Sequence, residues 1–197
     1  MSRVGREIIK IPAGVTVEFD GNMVTVSGSG KELKQEIKKP ISVAVENGTV
    51  VVTRGNDLAL SRSLHGLYNR LIQNMIVGVT KGWNRYLILN GVGYKASLRG
   101  ADLVLNIGMA HPVDVKCEDG IHFKVLTPAE LNELNLGKEA ITLVICISGI
   151  DREKVGAFAS KIRDLRPVEP YHLYGIRYSD EKVRRKESKS GAKSGAK

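Results

Sequence analysis

The chain has 197 residues, 42% of them apolar, with 30 Lys and Arg against 21 Asp and Glu, a net charge of +9 and a pI near 9.6. That is enough apolar sequence for one large or two small packed domains, and the positive balance points to nucleic acid or an anionic membrane as partner. No apolar run reaches the ~18–20 residues that span a bilayer, and the opening Met1-Ser-Arg-Val-Gly-Arg6 lacks the apolar block of a signal peptide, so the expectation is a protein that stays where it is made, with no membrane partner.

From Gly14 to Val26 apolar residues alternate (Val15, Val17, Phe19, then Met23 or Val24, and Val26) around Asp20-Gly21-Asn22, a turn whose residues tolerate positive φ. This predicts a β-hairpin. Ile41–Val52 writes a second one, with Asn47-Gly48 between β-branched runs, and the two give a small antiparallel sheet. The match of Asn47-Gly-Thr49 to a glycosylation acceptor is read only as that turn. From Asp57 the period changes: Leu60, Leu64, Leu67, Leu71 and Met75 recur at three- and four-residue steps, with Arg62 and Arg70 on the other face. One amphipathic helix covering the sheet with this leucine stripe is predicted, ended by Gly78 and Gly82-Trp83.

The second half repeats the plan. Tyr94–Gly100 leads into Leu103–Gly108 much as Val17–Gly21 leads into Met23–Gly28, and Val115–Gly120 mirrors Val43–Gly48, turn residues included. After an excursion through Thr127-Pro-Ala-Glu130 and Gly137, a strand at Ile141–Ile147 precedes Asp151, a candidate N-cap, and a helix with the stripe Val155, Phe158, Ala159, Ile162 and Leu165. The fold class expected is α+β: two duplicated domains of about 80 residues, each a small antiparallel sheet with one packed helix. The boundaries expected are 1–81, 82–170 and a basic extended tail at 171–197.

Several look-alike motifs fail on physical grounds. Gly91-Val-Gly93-Tyr-Lys-Ala96 has the letters of a dinucleotide fingerprint, but it runs on into a strand and the Gly100 turn, not into the helix whose N-terminus would receive a pyrophosphate. Ser27-Gly-Ser-Gly30-Lys31 resembles a phosphate loop, but Thr25 stands where the first glycine belongs and Glu32 where magnesium needs a hydroxyl. His65, His111, His122 and His172 show no ligand spacing, and packing or hydrogen bonding is the default for His65 on its helix. Cys117 and Cys146 read as reduced core residues. No acid/base pair, metal ligand set or cofactor motif emerges, so no enzyme activity, metal or cofactor is expected.

The positive charge clusters. Arg3, Arg6 and Lys10 precede the first strand; Arg152, Lys154, Lys161, Arg163 and Arg166 lie on or beside the second helix. Residues 181–197 hold seven Lys or Arg against two Glu, so +5 of the net +9 sits there. Such a segment has too few apolar side chains to offset the ~1–2 kcal/mol of backbone entropy per ordered residue and is expected to be ordered only by a polyanion. Tyr171, Tyr174 and Tyr178 alternate with cationic residues, which suits irregular RNA with unstacked bases better than regular duplex. RNA is therefore the expected partner, bound either within a larger particle or by a free RNA-binding protein or RNA chaperone.

The runs MSRVGRE (1–7), IPAGV (11–15), SLHGLYNRLIQNMIVGVTKGW (63–83), NGVGYKA (90–96), SGIDREKVGAFASKIRDLRPVEPY (148–171), GIRY (175–178) and VRRKE (183–187) together resemble the bacterial large-subunit ribosomal protein L6 family over essentially the whole chain. The resemblance implies a structural component of the large ribosomal subunit in the cytoplasm. It further implies contacts with large-subunit rRNA by the second domain and tail near the sarcin–ricin region and stalk base, neighbouring ribosomal proteins, and translation factors close by. Carried residue by residue, rRNA contact falls on Tyr94, Lys95, Lys161, Tyr171, Gly175, Arg177, Tyr178, Arg184, Arg185 and Lys186. The family usually reads Pro-Tyr-Lys-Gly-Lys-Gly where this chain has Pro170-Tyr-His-Leu-Tyr-Gly175. Two cations and a glycine are thus replaced, and ring stacking by His172 and Tyr174 is the expected compensation.

Overall fold

The computed structural model describes residues 4–46, 48–126, 130 and 143–187. Its contacts divide the chain into two compact units, one running up to Trp83 and taking in Gly149–Arg152, the other holding the rest.

In the first unit a single 3-10 turn at Val4–Arg6 is followed by β1 (Ile9–Lys10), β2 (Val15–Asp20), β3 (Met23–Gly28), β4 (Lys31–Glu36), β5 (Ile41–Glu46), β6 (Thr49–Arg54) and α1 (Ala59–Thr80). Both expected hairpins form, with Val17 opposite Val26 and Val43 opposite Val52. They lie in two three-stranded antiparallel sheets, β2-β3-β4 and β1-β6-β5, rather than one. Each hairpin gains one strand, the two-residue β1 beside β6 and the longer β4 beside β3. The β4 sequence, Lys-Glu-Leu-Lys-Gln-Glu, carries no apolar alternation, yet it pairs along its whole length with β3. The phosphate-loop look-alike is the turn joining them, where Ser29 (φ 52°) and Gly30 (φ 74°) take the left-handed conformation of a tight two-residue hairpin.

Strands of both sheets pack against α1, through only part of the expected stripe: Met75 is buried and Leu64 and Leu71 pack on the rim of the core, while Leu60 and Leu67 face outward. Buried on α1 are Ser61, His65, Tyr68, Asn69, Ile72, Met75, Ile76 and Val79, whereas Leu60 is 66% and Leu67 50% exposed and Leu64 and Leu71 are half-buried. Two faces of the helix share the same 4-3-4 spacing, and the inward one includes polar residues because strand ends and the N-terminal turn need hydrogen-bond partners there. His65 Nε2–H donates to Val52 O (2.9 Å) while Nδ1 accepts from the Arg54 guanidinium (3.2 Å). The Asn69 amide donates to Glu7 O (2.8 Å), and the Lys38 N–H donates to the Tyr68 hydroxyl (3.0 Å). His65 is thus the packed, hydrogen-bonded residue expected. Around these contacts Val24, Val26, Ile37, Val50, Ile72 and Val79 form a closed apolar core, each such side chain stabilising the fold by ~1.5–3 kcal/mol.

The second unit comprises β7 (Trp83–Asn90), β8 (Lys95–Arg99), β9 (Asp102–Asn106), β10 (Val113–Val115), β11 (Ile121–Val125), β12 (Leu143–Gly149), α2 (Arg152–Leu165) and β13 (Gly175–Tyr178). Its sheets run β8-β9-β10 and β11-β12-β7-β13. The first matches the β2-β3-β4 meander, and β7-β12-β11 matches β1-β6-β5 strand for strand, so the duplication is one of topology as well as sequence. The counterpart of Val43–Gly48, however, is not Val115–Gly120. That stretch leaves β10, which pairs with β9, and turns toward β11; the shared Glu-Asp-Gly and Glu-Asn-Gly letters mark two different turns. The expected excursion through Thr127–Glu130 and Gly137, and the first two residues of the strand expected at Ile141–Ile147, lie outside the described residues except for Glu130.

Four of the five residues of the expected α2 stripe, Val155, Phe158, Ala159 and Ile162, are buried and Leu165 at the helix end is half-buried, with the Phe158 ring 5.4 Å from that of Phe123 on β11. Cys146 is a buried free thiol whose pKa is pushed up by burial, and Cys117 a half-buried one in the β10–β11 connection. The stretch from Tyr171, expected as extended tail, contains β13, which adds to the edge of β7 with Gly175 opposite Asn90 and Tyr178 opposite Leu87. Ile176 is fully buried there. One apolar side chain and four backbone partners on an apolar neighbouring strand suffice to draw this segment into the sheet.

Candidate nucleic-acid interface

The chain between α2 and β13 is a turn organised by Glu169. Its carboxylate accepts the backbone N–H of Tyr171 (2.9 Å) and of His172 (2.8 Å), and these bonds, that of His172 first, hold its pKa below the usual carboxylate value. Its own N–H donates to Tyr174 O (2.8 Å), and its carbonyl accepts from Leu173 N–H (3.0 Å). Leu173, at φ 62°, occupies the left-handed region that favours glycine, and Asn90 at the end of β7 donates its side-chain amide to Leu173 O (3.2 Å). Backbone groups make most of the bonds that fix the loop, the His172 Nδ1 lies 3.5 Å from the Glu169 carboxylate, and the rings are exposed. Tyr171 is 45% and Tyr174 41% exposed, and the His172 and Tyr174 rings stack with centroids 5.5 Å apart at 20°.

Behind this turn the root of the basic segment is clamped. Arg163 of α2 grips the Glu181 carboxylate with two nitrogens (2.6 and 2.9 Å), and that hydrogen bonding lowers the Glu181 pKa. The Tyr178 ring has the Arg85 guanidinium 4.5 Å and the Arg163 guanidinium 5.4 Å from its centroid. Arg85 also meets Asp180 (3.2 Å), and Arg177 donates to Glu181 O (3.3 Å). Beyond Glu181 the chain folds back over the aromatic turn: the Arg185 guanidinium donates to Tyr171 O (3.1 Å) and Lys186 N–H to Pro170 O (2.9 Å).

The sequence-derived residues therefore divide. Tyr171, Arg185 and Lys186 are brought together by the contacts of Arg185 with Tyr171 O and of Lys186 N–H with Pro170 O, and Arg184, next in the chain, is exposed like them. Tyr94 and exposed Lys95 lie just past the turn that leaves Asn90, and the β7–β13 register puts that turn at the same end as Gly175; Tyr94 packs its ring on Gly91. Gly175, Arg177 and Tyr178 are structural members of the clamp and sheet, with Tyr178 already covered by guanidinium groups. Lys161 stands on α2, paired with Glu118 (3.0 Å), and no contact joins it to the aromatic turn among the described residues. Glu169, Asn90 and Glu181 escape a reading of the sequence, because their work is non-local hydrogen bonding that leaves no periodic trace. The Gly91–Ala96 look-alike runs into β8. Residues Arg3 and 188–197 lie outside the described residues.

A family model described as ribosomal protein L6 matches residues 11–82 and 90–179, one stretch falling mainly in each unit. The chain is 50% identical over 192 residues to the large ribosomal subunit protein uL6 of Clostridium perfringens, covering 97% of this chain and 99% of that one. It is 46% identical over 191 residues to uL6 of Staphylococcus epidermidis, with 97% and 99% covered. With uL6 of Desulfitobacterium hafniense it is 46% identical over 197 residues, the full length of both chains.

Proposed function

Because the chain belongs to the ribosomal protein L6 family, and so is a structural, non-enzymatic constituent of the large ribosomal subunit, we propose that it grips rRNA through the face built at the end of the β7–β13 pair. On this reading Tyr171, Arg184, Arg185 and Lys186 make the primary contacts, with Lys95 at the rim and Lys161 reaching a separate phosphate. The rRNA elements are the sarcin–ricin region and the stalk base, where translation factors and neighbouring ribosomal proteins lie close by.

The supporting observation is the convergence of exposed cations on an exposed aromatic turn that the backbone already holds rigid. Cations release counterions as they meet phosphates, and a turn ordered beforehand loses little entropy on docking. The mechanism is adhesion: the folded units present the face, and charge neutralisation supplies the affinity.

Hydroxyl-radical footprinting of large-subunit rRNA with the full chain tests the placement. Protection is expected in the sarcin–ricin and stalk-base segments and should be lost in an Arg184→Ala/Arg185→Ala variant. Protection confined to other rRNA regions, or unchanged in that variant, would overturn it.

A further inference from the structure

We propose that the stacked His172 and Tyr174 rings form a seat for one unpaired rRNA base, which extends the two-ring stack by lying on an outer ring face. The proposal rests on the reading of this surface as rRNA-facing and adds to it a contact that reads a base where the neighbouring side chains read phosphate.

Three features of the turn carry it. The rings are parallel to within 20° at a 5.5 Å centroid separation, an offset stack of two exposed rings, the geometry to which a further aromatic plane can add. The stacking of the rings is not what closes the turn, since the Glu169 carboxylate holds the N–H groups of Tyr171 and His172, with Oε2 also 3.5 Å from His172 Nδ1, and Asn90 holds Leu173 O. Their alignment is instead imposed by that backbone: Leu173 at φ 62° reverses the chain so that the side chains two residues apart meet. Exposed rings set beside Arg185 and Lys186, which pack back onto Tyr171 and Pro170, combine a stacking plane with phosphate ligands. That combination suits a splayed single-stranded base and offers little to a regular duplex.

The test measures binding of the full chain to a large-subunit rRNA transcript across a salt series, with inorganic polyphosphate as a probe that has charge and no bases. A His172→Ala/Tyr174→Ala variant should lose roughly 5- to 150-fold in affinity at every salt concentration, the range for one stacked base, with the slope against salt unchanged. Its binding to polyphosphate should not change, and Tyr174→Phe, which keeps the ring, should bind the transcript like the parent. Wild-type affinity of the double variant for the transcript would overturn the seat, while leaving the phosphate-binding face to be judged by its own arginine and lysine variants. An equal loss on polyphosphate would also overturn it, since the rings would then only be holding cations in place. Should the double variant unfold, ultraviolet cross-linking of the wild-type chain in large subunits decides. A nucleotide joined to the peptide bearing residues 171–174 supports the seat, and cross-links confined to other peptides, or from this peptide to a neighbouring protein, refute it.

Discussion

At Gly175 the backbone has φ +140° and an added Cβ would lie 2.6 Å from Pro167 O, 2.7 Å from Val168 Cα and 2.9 Å from Arg166 O. All three are backbone atoms and cannot swing away. Gly175→Ala should therefore cost roughly 2–4 kcal/mol, combining left-handed strain with overpacking, and should free β13 from β7; denaturant unfolding and amide exchange at Ile176 measure both. Full protection at Ile176 in the variant would contradict this. Glu181 sets a second residue-scale expectation. Its folded pKa is depressed by Arg163, so its stabilisation is complete above the unfolded value of ~4.3 and is lost as pH falls through the lower folded value. Glu181→Gln should cost about 1 kcal/mol near neutrality, and the gap to wild type should close below about pH 4. A gap that persists undiminished at about pH 3 would show that the carboxylate charge is not what the clamp uses.

Among the elements, α1 separates the two readings of its periodicity most sharply. Ile72→Ala, in the closed core, should destabilise by ~2–5 kcal/mol, whereas Leu60→Ala, on the exposed face, should stay within ~0.5 kcal/mol. Comparable losses at both positions would put Leu60 inward after all. The hairpins around Asp20-Gly21-Asn22 and before Gly100 are legible in the sequence because their turns and alternation are local, and α2 because its inward face is all apolar. The inward face of α1 is not, since Ser61, His65 and Asn69 look like surface residues until their partners, Asn56 in the β6–α1 connection, Val52 of β6 and the N-terminal Glu7, are in place. β4 and β13 are hidden for a related reason. A polar edge strand and a four-residue strand with one buried side chain are dictated by the neighbour they pair with, not by their own letters. Of the interface, the cations and rings can be read directly, while Glu169, Asn90 and Glu181, which aim them, cannot.

In the molecule as a whole, the two units repeat one topology, and the second departs from it by the strand added at the free edge of β7. That departure carries the aromatic turn, the Arg163–Glu181 clamp and the basic segment. The asymmetry explains why one copy of a duplicated fold holds the candidate interface: β13 ties the segment to a rigid sheet on one side while its cations remain exposed on the other. It also dictates how the segment is to be removed. Deleting everything from Tyr171 would take β13 and unbalance the sheet, so loss of binding would then report unfolding. Substitution of the exposed cations beyond Glu181 leaves the clamp intact. The decisive measurement is the dependence of rRNA affinity on salt for the full chain and for Arg184→Ala/Arg185→Ala/Lys186→Ala. With about 0.7–0.9 in slope per phosphate contact, the plot of log K against log salt should flatten by about 2–2.7 in the triple variant, and a slope equal to that of the wild type would contradict the account.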